Sequence, residues 1–521
     1  MAPGRDVTTA FPPLDAAAST PGMVHLVGAG PGDPGLLTVR AAEVLRACDA
    51  CVYDYLVNPA ILNLLPADAA RHFVGKRGGQ ESCTQDEINA KLVLLARQHR
   101  RIVRLKGGDP FLFGRGGEEA DALAAAGIPF SVVPGVTSGI AVPAYAGIPI
   151  THRAASSAVL FATGHRTPGK DDDLHWDALA RVETLVLYMG MHKLDEICAS
   201  LIGHGRDADT PVAVIQWGTY PHQRVAEGTL ATIAGIARAE GLGAPAITVV
   251  GEVVRYRERI RWFDTRPLFG RTVVVTRSRE QASELAALLG DAGARVIEYP
   301  LLRPAPPAAW DALDARLADL ASFDWIAFTS ANAVAFTLGR LRELGRDARA
   351  LAPCRIAAVG AATDRALAGH GLRADLVPET FAGTDLAKEI LRAGPDRPRV
   401  LLPQADQAAP GLREQLAAAG ATVMAVIAYR NLPEQPSIDL AAERPDAVCF
   451  ASSATAERFV AALGATAVGE MATAGCRWYA IGPETAAGMR RVGIEPSAIA
   501  NEASVAALAA TAIADLAQRC M

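Results

Sequence analysis

Residues 103–119 read VRLKGGDPFLFGRGGEE, and this stretch decides how its flanks are read. Ile102 to Leu105 is an apolar run of strand length. It stops at Gly107-Gly108, presents Asp109 and is followed by Pro110. A second break, Gly114 to Gly117, carries Arg115 and ends on Glu118-Glu119, acids that suit the positive end of a helix dipole. Glycine lets a ligand approach the backbone closely, and proline fixes φ. A single Gly-Gly turn is an ordinary strand-to-helix corner. Two glycine breaks framing Lys106, Asp109, Arg115 and Glu118 predict a site built for a polar ligand.

Upstream, Val24 to Val27 predicts a strand and GAGPGDPGLLT, Gly28 to Thr38, a loop. Val39 to Ala47 predicts a helix, and Ala50 to Tyr53 a second strand ending on Asp54. That order matches a dinucleotide-binding unit, so an NAD-dependent oxidoreductase is one reading. Pro31 and Pro34 count against it, because each removes a backbone N–H that a pyrophosphate would need. Gln85 to Arg97 has the helical spacing of Ile88, Leu92 and Leu95. Further strands are predicted at Ala158–Thr163, Thr184–Met189, Val212–Gln216 and Ala246–Gly251. Alternating strands and helices imply α/β layers. Ala122 to Ile150 is uncharged and long enough to span a bilayer. Pro129, Pro134, Pro143 and Pro149 interrupt it, which predicts buried loops and short helices instead.

The 521 residues suffice for roughly three or four domain-sized units. A net charge of −5 draws the chain neither to nucleic acid nor to a membrane surface. A polyanionic substrate would need a local basic pocket. Cys48 and Cys51 form one CxxC with no second pair to complete a zinc site, so buried thiols and no metal are expected. No disulfide framework is apparent and residues 1–22 lack an apolar signal region. The reading is a flexible tail on a cytoplasmic protein.

The motifs now carry a resemblance. GAGPGDPGLLT, VYDYLV, GKRGG, the stretch 103–119, PGVTSGIAVPAYAGIPITHR, LVLYMG and APAITVVGEVV follow one another from Met23 to about Phe263. Together they resemble uroporphyrinogen-III C-methyltransferase, a tetrapyrrole methylase. The resemblance implies two α/β lobes over residues 23–264, binding S-adenosylmethionine between them and forming a homodimer. It implies methylation of C2 and then C7 of the macrocycle, giving precorrin-2. Asp54 would be the proton acceptor and Lys76 the donor. The methyl-donor site carries over to Pro31, Gly107, Gly108, Asp109, Leu112, Thr137, Ser138, Met189, Gly218 and Ala246, with Asp109 facing the methionine end. On spacing alone, Met189 reads as a core residue. The substrate is a polycarboxylate, so Arg115 and Arg153 are the candidates to hold it; arginine offers carboxylate a two-pronged match. Glu118 would orient Arg115 or touch pyrrole N–H groups.

Residues 265–270 read as a linker, and residues 271–521 are internally duplicated. FTSANAVAF at Phe328 is echoed by FASSATAERF at Phe450, and AVGAATDRALAGHG at Ala358 by AIGPETAAGMRRVG at Ala480. A weaker echo joins Val273–Ser278 to Val400–Ala405. The repeat predicts two similar α/β lobes facing a cleft. TRS, FTSANAV, AVGAAT, AYR and AIGPETA resemble uroporphyrinogen-III synthase. That implies lobe one over 271–303 plus 431–521 and lobe two over 304–430. It implies cofactor-free cyclisation of hydroxymethylbilane with inversion of ring D. Tyr429 would assist loss of the hydroxyl. Ser330, Ser452, Thr485 and the backbone around Gly482 would bind carboxylates at helix starts, although a Ser or Thr there is first of all an N-cap. One departure is Gln404, within PQADQAAP, where the family often carries a cation; Arg277 and Arg413 are left to compensate. The whole chain thus reads as a fused bifunctional enzyme acting on small-molecule tetrapyrroles. No nucleic-acid or membrane partner is expected, and the homodimer would form through the first half. A methylase with a non-catalytic, tetrapyrrole-sensing second half is the alternative.

Overall fold

A computed structural model describes residues 21–75, 83–164, 175–276, 279–378, 383–408, 411–434, 436 and 438–518. The chain forms two compact units, one ending at Gly270 and the other beginning at Arg271.

The first unit opens with β1 (Met23–Gly28), β2 (Ala50–Tyr53), β3 (Ala70–Phe73), β4 (Arg101–Lys106) and β5 (Phe130–Val133). They make a parallel sheet in the order β3-β2-β4-β1-β5. Both faces are buried, which is why these strands read as nearly continuous apolar runs. Val24, Leu26, Val52 and Ile102 pack against α2 (Gln85–Gln98) and α3 (Gly116–Ala125). The alternate residues Val27, Cys51, Val103 and Leu105 face α1 (Val39–Arg46) and Ile61. Cys48 and Cys51 are therefore core thiols, 2% and 0% exposed.

The uncharged stretch 122–150 differs from its reading as loops and short helices. It contains β5, whose Val133 joins one core while Phe130 and Val132 flank the other. Lack of charge there reflects burial on both sides of a strand. The helix α4 (Ser138–Tyr145) follows. Among the described residues no helix is long and apolar enough to cross a membrane.

A second sheet of this unit comprises β6 (Val159–Thr163), β7 (Thr184–Tyr188), β8 (Pro211–Gln216), β9 (Arg224–Thr229) and β10 (Ala246–Val250), in the order β6-β7-β10-β8-β9. It is mixed, with β10 antiparallel to both neighbours. The edge strand β9 had no counterpart in the sequence reading, since RVAEGT carries a glutamate and a glycine where a buried strand would be apolar.

In the second unit, β11 (Thr272–Val275), β12 (Arg295–Glu298), β13 (Leu302–Ala305), β14 (Trp325–Phe328), β15 (Arg355–Ala358), β16 (Arg399–Ala405), β17 (Thr422–Pro433), β18 (Ala447–Phe450), β19 (Arg477–Ala480) and β20 (Ala498–Ile499) form two sheets. Their orders are β12-β11-β18-β19-β20 and β13-β17-β16-β14-β15. The run β12-β11-β18-β19 corresponds in order to β17-β16-β14-β15. In one lobe the chain makes its four equivalent strands consecutively. The other lobe makes two, departs, and returns to make the rest, so the two lobes are circular permutations of one plan. Leu302 pairs with Pro433, which carries both crossing strands past residues 303 and 431. Period-two burial recurs: Ile326 and Phe328 enter one core, Trp325 and Ala327 the other.

Candidate active site

The carboxyl ends of β1, β2, β4 and β5 open onto a cleft of about 760 Å³ shared with the second sheet. Such ends, where strand order reverses, are where open α/β sheets bind ligands. Gly30 and Pro31 follow β1, Asp54 to Leu56 follow β2, Gly107 to Asp109 follow β4, and Thr137 and Ser138 follow β5. From the other lobe come Tyr188, Met189, Trp217, Gly218, Ala246 and Ile247.

The loops that floor the cleft are bonded to each other. Gly30 and Gly108 exchange N–H···O bonds of 3.2 and 2.7 Å. Gly108 has φ +69°, in the region that favours glycine. A Cβ on Gly135 would lie 2.3 Å from the Gly108 carbonyl oxygen. Asp109 accepts from the Phe111 and Leu112 N–H groups on Oδ1, at 2.8 and 3.1 Å, and from Gly135 N–H on Oδ2 at 3.0 Å. Both its oxygens thus serve the chain's own backbone, tying the β4 loop to the β5 loop.

The first glycine loop offers a pyrophosphate few free donors. Gly30 donates to Gly108, Asp33 to Thr219 Oγ1 at 3.0 Å, Gly35 to Asp33 Oδ1 at 2.7 Å, and Leu36 and Leu37 to loop carbonyls. With Pro31 and Pro34 lacking donors, the dinucleotide reading loses the N–H groups it requires.

Beside the floor lies a chain of charges. Arg104 Nη1 is 3.5 Å from Asp54 Oδ2, and Arg104 Nε is 3.0 Å from Glu119 Oε1. Lys106 Nζ is 2.8 Å from the same Glu119 oxygen. Arg104, Lys106 and Glu119 are buried, whereas the Asp54 side chain is 26% exposed. Burial, then the Arg104 charge, pulls the Lys106 pKa below its ordinary value. Asp54 Oδ1 accepts the Leu56 N–H at 3.1 Å.

Arg115 lines the cleft and forks onto Glu118 through Nε and Nη2, at 2.9 and 2.7 Å. That hydrogen bonding holds the Glu118 carboxyl below its usual range. Tyr188 joins the lobes: its hydroxyl lies 2.6 Å from Thr137 Oγ1 and accepts the Gly139 N–H at 2.7 Å. Tyr55 and Trp217 meet edge-on across the cleft, ring centroids 6.2 Å apart. Phe113, Arg115, Met189 and Trp217, all lining the cleft, and the adjacent Thr219 have φ between +49° and +71°. Such strained backbone gathers at ligand sites.

In the second unit the Tyr429 hydroxyl is 3.1 Å from Ser330 Oγ, and its ring stacks on Phe336. Ser330 and Ser452 cap the helices Ala331–Glu343 and Ser453–Leu463, accepting N–H groups at 3.1 and 3.3 Å. Thr485 is buried in the first turn of Pro483–Arg491, behind the Gly482 cap. Arg458 donates to Gln407 at 3.0 Å and Arg365 pairs with Glu284 at 3.3 Å, bridging the lobes.

Residues 23–234 match the family described as Tetrapyrrole (Corrin/Porphyrin) Methylases, and residues 283–510 match Uroporphyrinogen-III synthase HemD. The porphyrin biosynthesis protein HemD of Ruminiclostridium josui is 39% identical over 382 residues, which cover 73% of this chain and 76% of that protein. The chain belongs to the fused tetrapyrrole methylase and uroporphyrinogen-III synthase family. A siroheme synthase of Stutzerimonas stutzeri (strain A1501) is 51% identical over 251 residues, 48% of this chain. The chain spans about half of that relative's length, 54%. The crystal structure of uroporphyrin III C-methyl transferase from Thermus thermophilus is 40% identical and has a TM-score of 0.39; the match covers 45% of this chain and 99% of that one. The protein is a bifunctional enzyme of tetrapyrrole biosynthesis, with a methylase unit and a synthase unit.

Within the methylase unit, Asp54, Arg115 and all of Pro31, Gly107, Gly108, Asp109, Leu112, Thr137, Ser138, Met189, Gly218 and Ala246 line the one cleft. Met189 corrects its spacing-based reading as core: it is 51% exposed, turned out by its positive φ. Glu118 sits behind Arg115. Arg153 is exposed and does not line the cleft. Lys76 and Arg277 lie outside the described residues. Arg104, Tyr55, Tyr188 and Trp217 were not picked out from sequence; Arg104, inside VRLKGG, Tyr55, inside VYDYLV, and Tyr188, inside LVLYMG, stood in motifs that could have flagged them. Among the described residues no cluster of three or more His, Cys, Asp or Glu side chains is arranged to hold a metal.

Proposed function

We propose that the synthase unit cyclises hydroxymethylbilane to uroporphyrinogen III, and that the methylase unit transfers methyl groups from S-adenosylmethionine to its C2 and C7, giving precorrin-2. The observation carrying the methylase reading is the single cleft that combines a glycine floor, apolar walls and both Asp54 and Arg115 in its lining. Gly107 and Gly108 keep the floor clear of side chains, and Leu112, Val142, Ile215 and Ile247 supply apolar surface. This fits a nucleoside-sized methyl donor.

S-adenosylmethionine supplies, when bound, an electrophilic methyl group already activated on sulfur. The chain's task is then largely alignment, worth up to about 7–11 kcal/mol. Arg115, braced by Glu118, pairs with a substrate carboxylate and orients the macrocycle. A pyrrole carbon gains the new C–C bond from its own π electrons while the sulfur keeps the electrons of the bond that breaks. The proton that the macrocycle must shed goes to Asp54, whose exposed edge faces the cleft; a placed base contributes roughly 10²–10⁴-fold. In the synthase unit, Tyr429 assists departure of the bilane hydroxyl as water. Ser330, Ser452, Thr485 and the helix start at Gly482 hold carboxylates. The Tyr429–Ser330 contact supports this assignment.

Incubating the protein with uroporphyrinogen III and labelled S-adenosylmethionine under anaerobic conditions tests the methylase reading. A product heavier by two methyl groups is expected. Asp54→Ala is expected to lose at least about a hundredfold in rate while calorimetric binding of S-adenosylhomocysteine persists. Full activity of that variant would remove Asp54 from the mechanism.

A further inference from the structure

We propose that Glu119 is a positioning residue for methyl transfer: by holding Arg104 from the far side, it keeps that guanidinium from closing onto Asp54. The proposal rests on Asp54 being the proton acceptor. Glu119 lies in the first turn of α3, is 0% exposed and does not line the cleft, so it acts only through its neighbours.

The distances show how Arg104 is divided. It gives Nε to Glu119 at 3.0 Å and Nη1 to the Leu105 carbonyl at 3.0 Å. Its approach to Asp54, 3.5 Å, is beyond ordinary charged hydrogen-bond length. Glu119 Oε1 also takes Lys106 at 2.8 Å and Gln85 at 3.4 Å, while its buried Oε2 has no partner among the described residues. The sequence Asp54, Arg104, Glu119, Lys106 alternates in sign and sums to zero. Removing the Glu119 charge would leave two cations facing Asp54 in a poorly screened site. Among the described residues Arg104 would then have Asp54 as its remaining ion-pair partner and could close a forked pair upon it. A carboxylate so paired is a weaker base, because the cation favours its charged form. The loose Asp54–Arg104 contact is therefore a functional spacing that Glu119 maintains.

A double-mutant cycle on the full chain tests this, using uroporphyrinogen III and labelled donor under single-turnover conditions. Glu119→Gln is expected to slow methyl transfer by at least about tenfold, part of what a placed base contributes, with donor affinity within twofold of wild type. In an Asp54→Asn background the same substitution is expected to cost less than twofold. Equal losses in both backgrounds would overturn the proposal, since Glu119 would then act independently of Asp54. Wild-type rates from Asp54→Asn alone would refute the underlying base assignment, and that failure is read separately. If Glu119→Gln does not fold, Glu119→Gln/Lys106→Met removes one charge of each sign and keeps the cluster neutral. Its loss is again expected to vanish in the Asp54→Asn background, and a wild-type rate or an undiminished loss there would overturn the proposal.

Discussion

Tyr188 and Gly135 do at the residue scale what no loop motif announces: they lock separate segments into one floor. Tyr188→Phe removes a hydroxyl shared by Thr137 and the buried Gly139 N–H. Stranding that donor is expected to lower stability by about 1–3 kcal/mol, read by urea unfolding, and to weaken S-adenosylhomocysteine binding. Gly135→Ala would press a Cβ to 2.3 Å from the Gly108 oxygen and 2.8 Å from Gly28 Cα. Backbone cannot step aside as a side chain does, so donor binding is expected to be lost in calorimetry. Burial pushes the Cys48 thiol up to about 11, and Cys51 higher still. The thiolate is the reactive species, so iodoacetamide at neutral pH should label exposed Cys83 well before either, read by mass spectrometry. At this scale Asp54, Arg115 and the glycines were legible because their chemistry stands in the motif itself. Met189 was legible only through its motif, its spacing alone pointing to the core, and Trp217 was not legible at all: a positive φ, invisible to apolar spacing, turns each toward the cleft.

At the scale of elements, the parallel strands declare themselves, since burial on both faces demands unbroken apolar runs. Edge strand β9 does not, because one free side admits glutamate and glycine. β5 was hidden by the prolines around it. The paired helix starts offer a test of structure against chemistry. Ser330 and Ser452 hold equivalent caps, so replacing either with Ala is expected to cost about 1 kcal/mol of stability. Only Ser330 also touches Tyr429. Ser330→Ala should therefore slow ring closure more than Ser452→Ala at equal loss of stability; equal slowing would reduce Ser330 to a cap.

For the molecule as a whole, the duplication was legible as an echo at one common offset. The circular permutation behind it was not, since it lies in which strands pair and not in their residues. The weak echo between Val273–Ser278 and Val400–Ala405 is explained by it: β11 and β16 occupy equivalent places beside β18 and β14. Joining the two units raises the local concentration of the intermediate they would share. We propose a homodimer through the methylase unit, for which analytical ultracentrifugation should give twice the chain mass.

The central claim is that one polypeptide carries both steps. Its most direct test is anaerobic incubation with enzymatically generated hydroxymethylbilane, with and without S-adenosylmethionine, read by isomer analysis and mass. The account predicts the type III macrocycle without the donor and its dimethylated form with it. Type I macrocycle alone in both incubations would contradict it, leaving a second unit that does not close the ring.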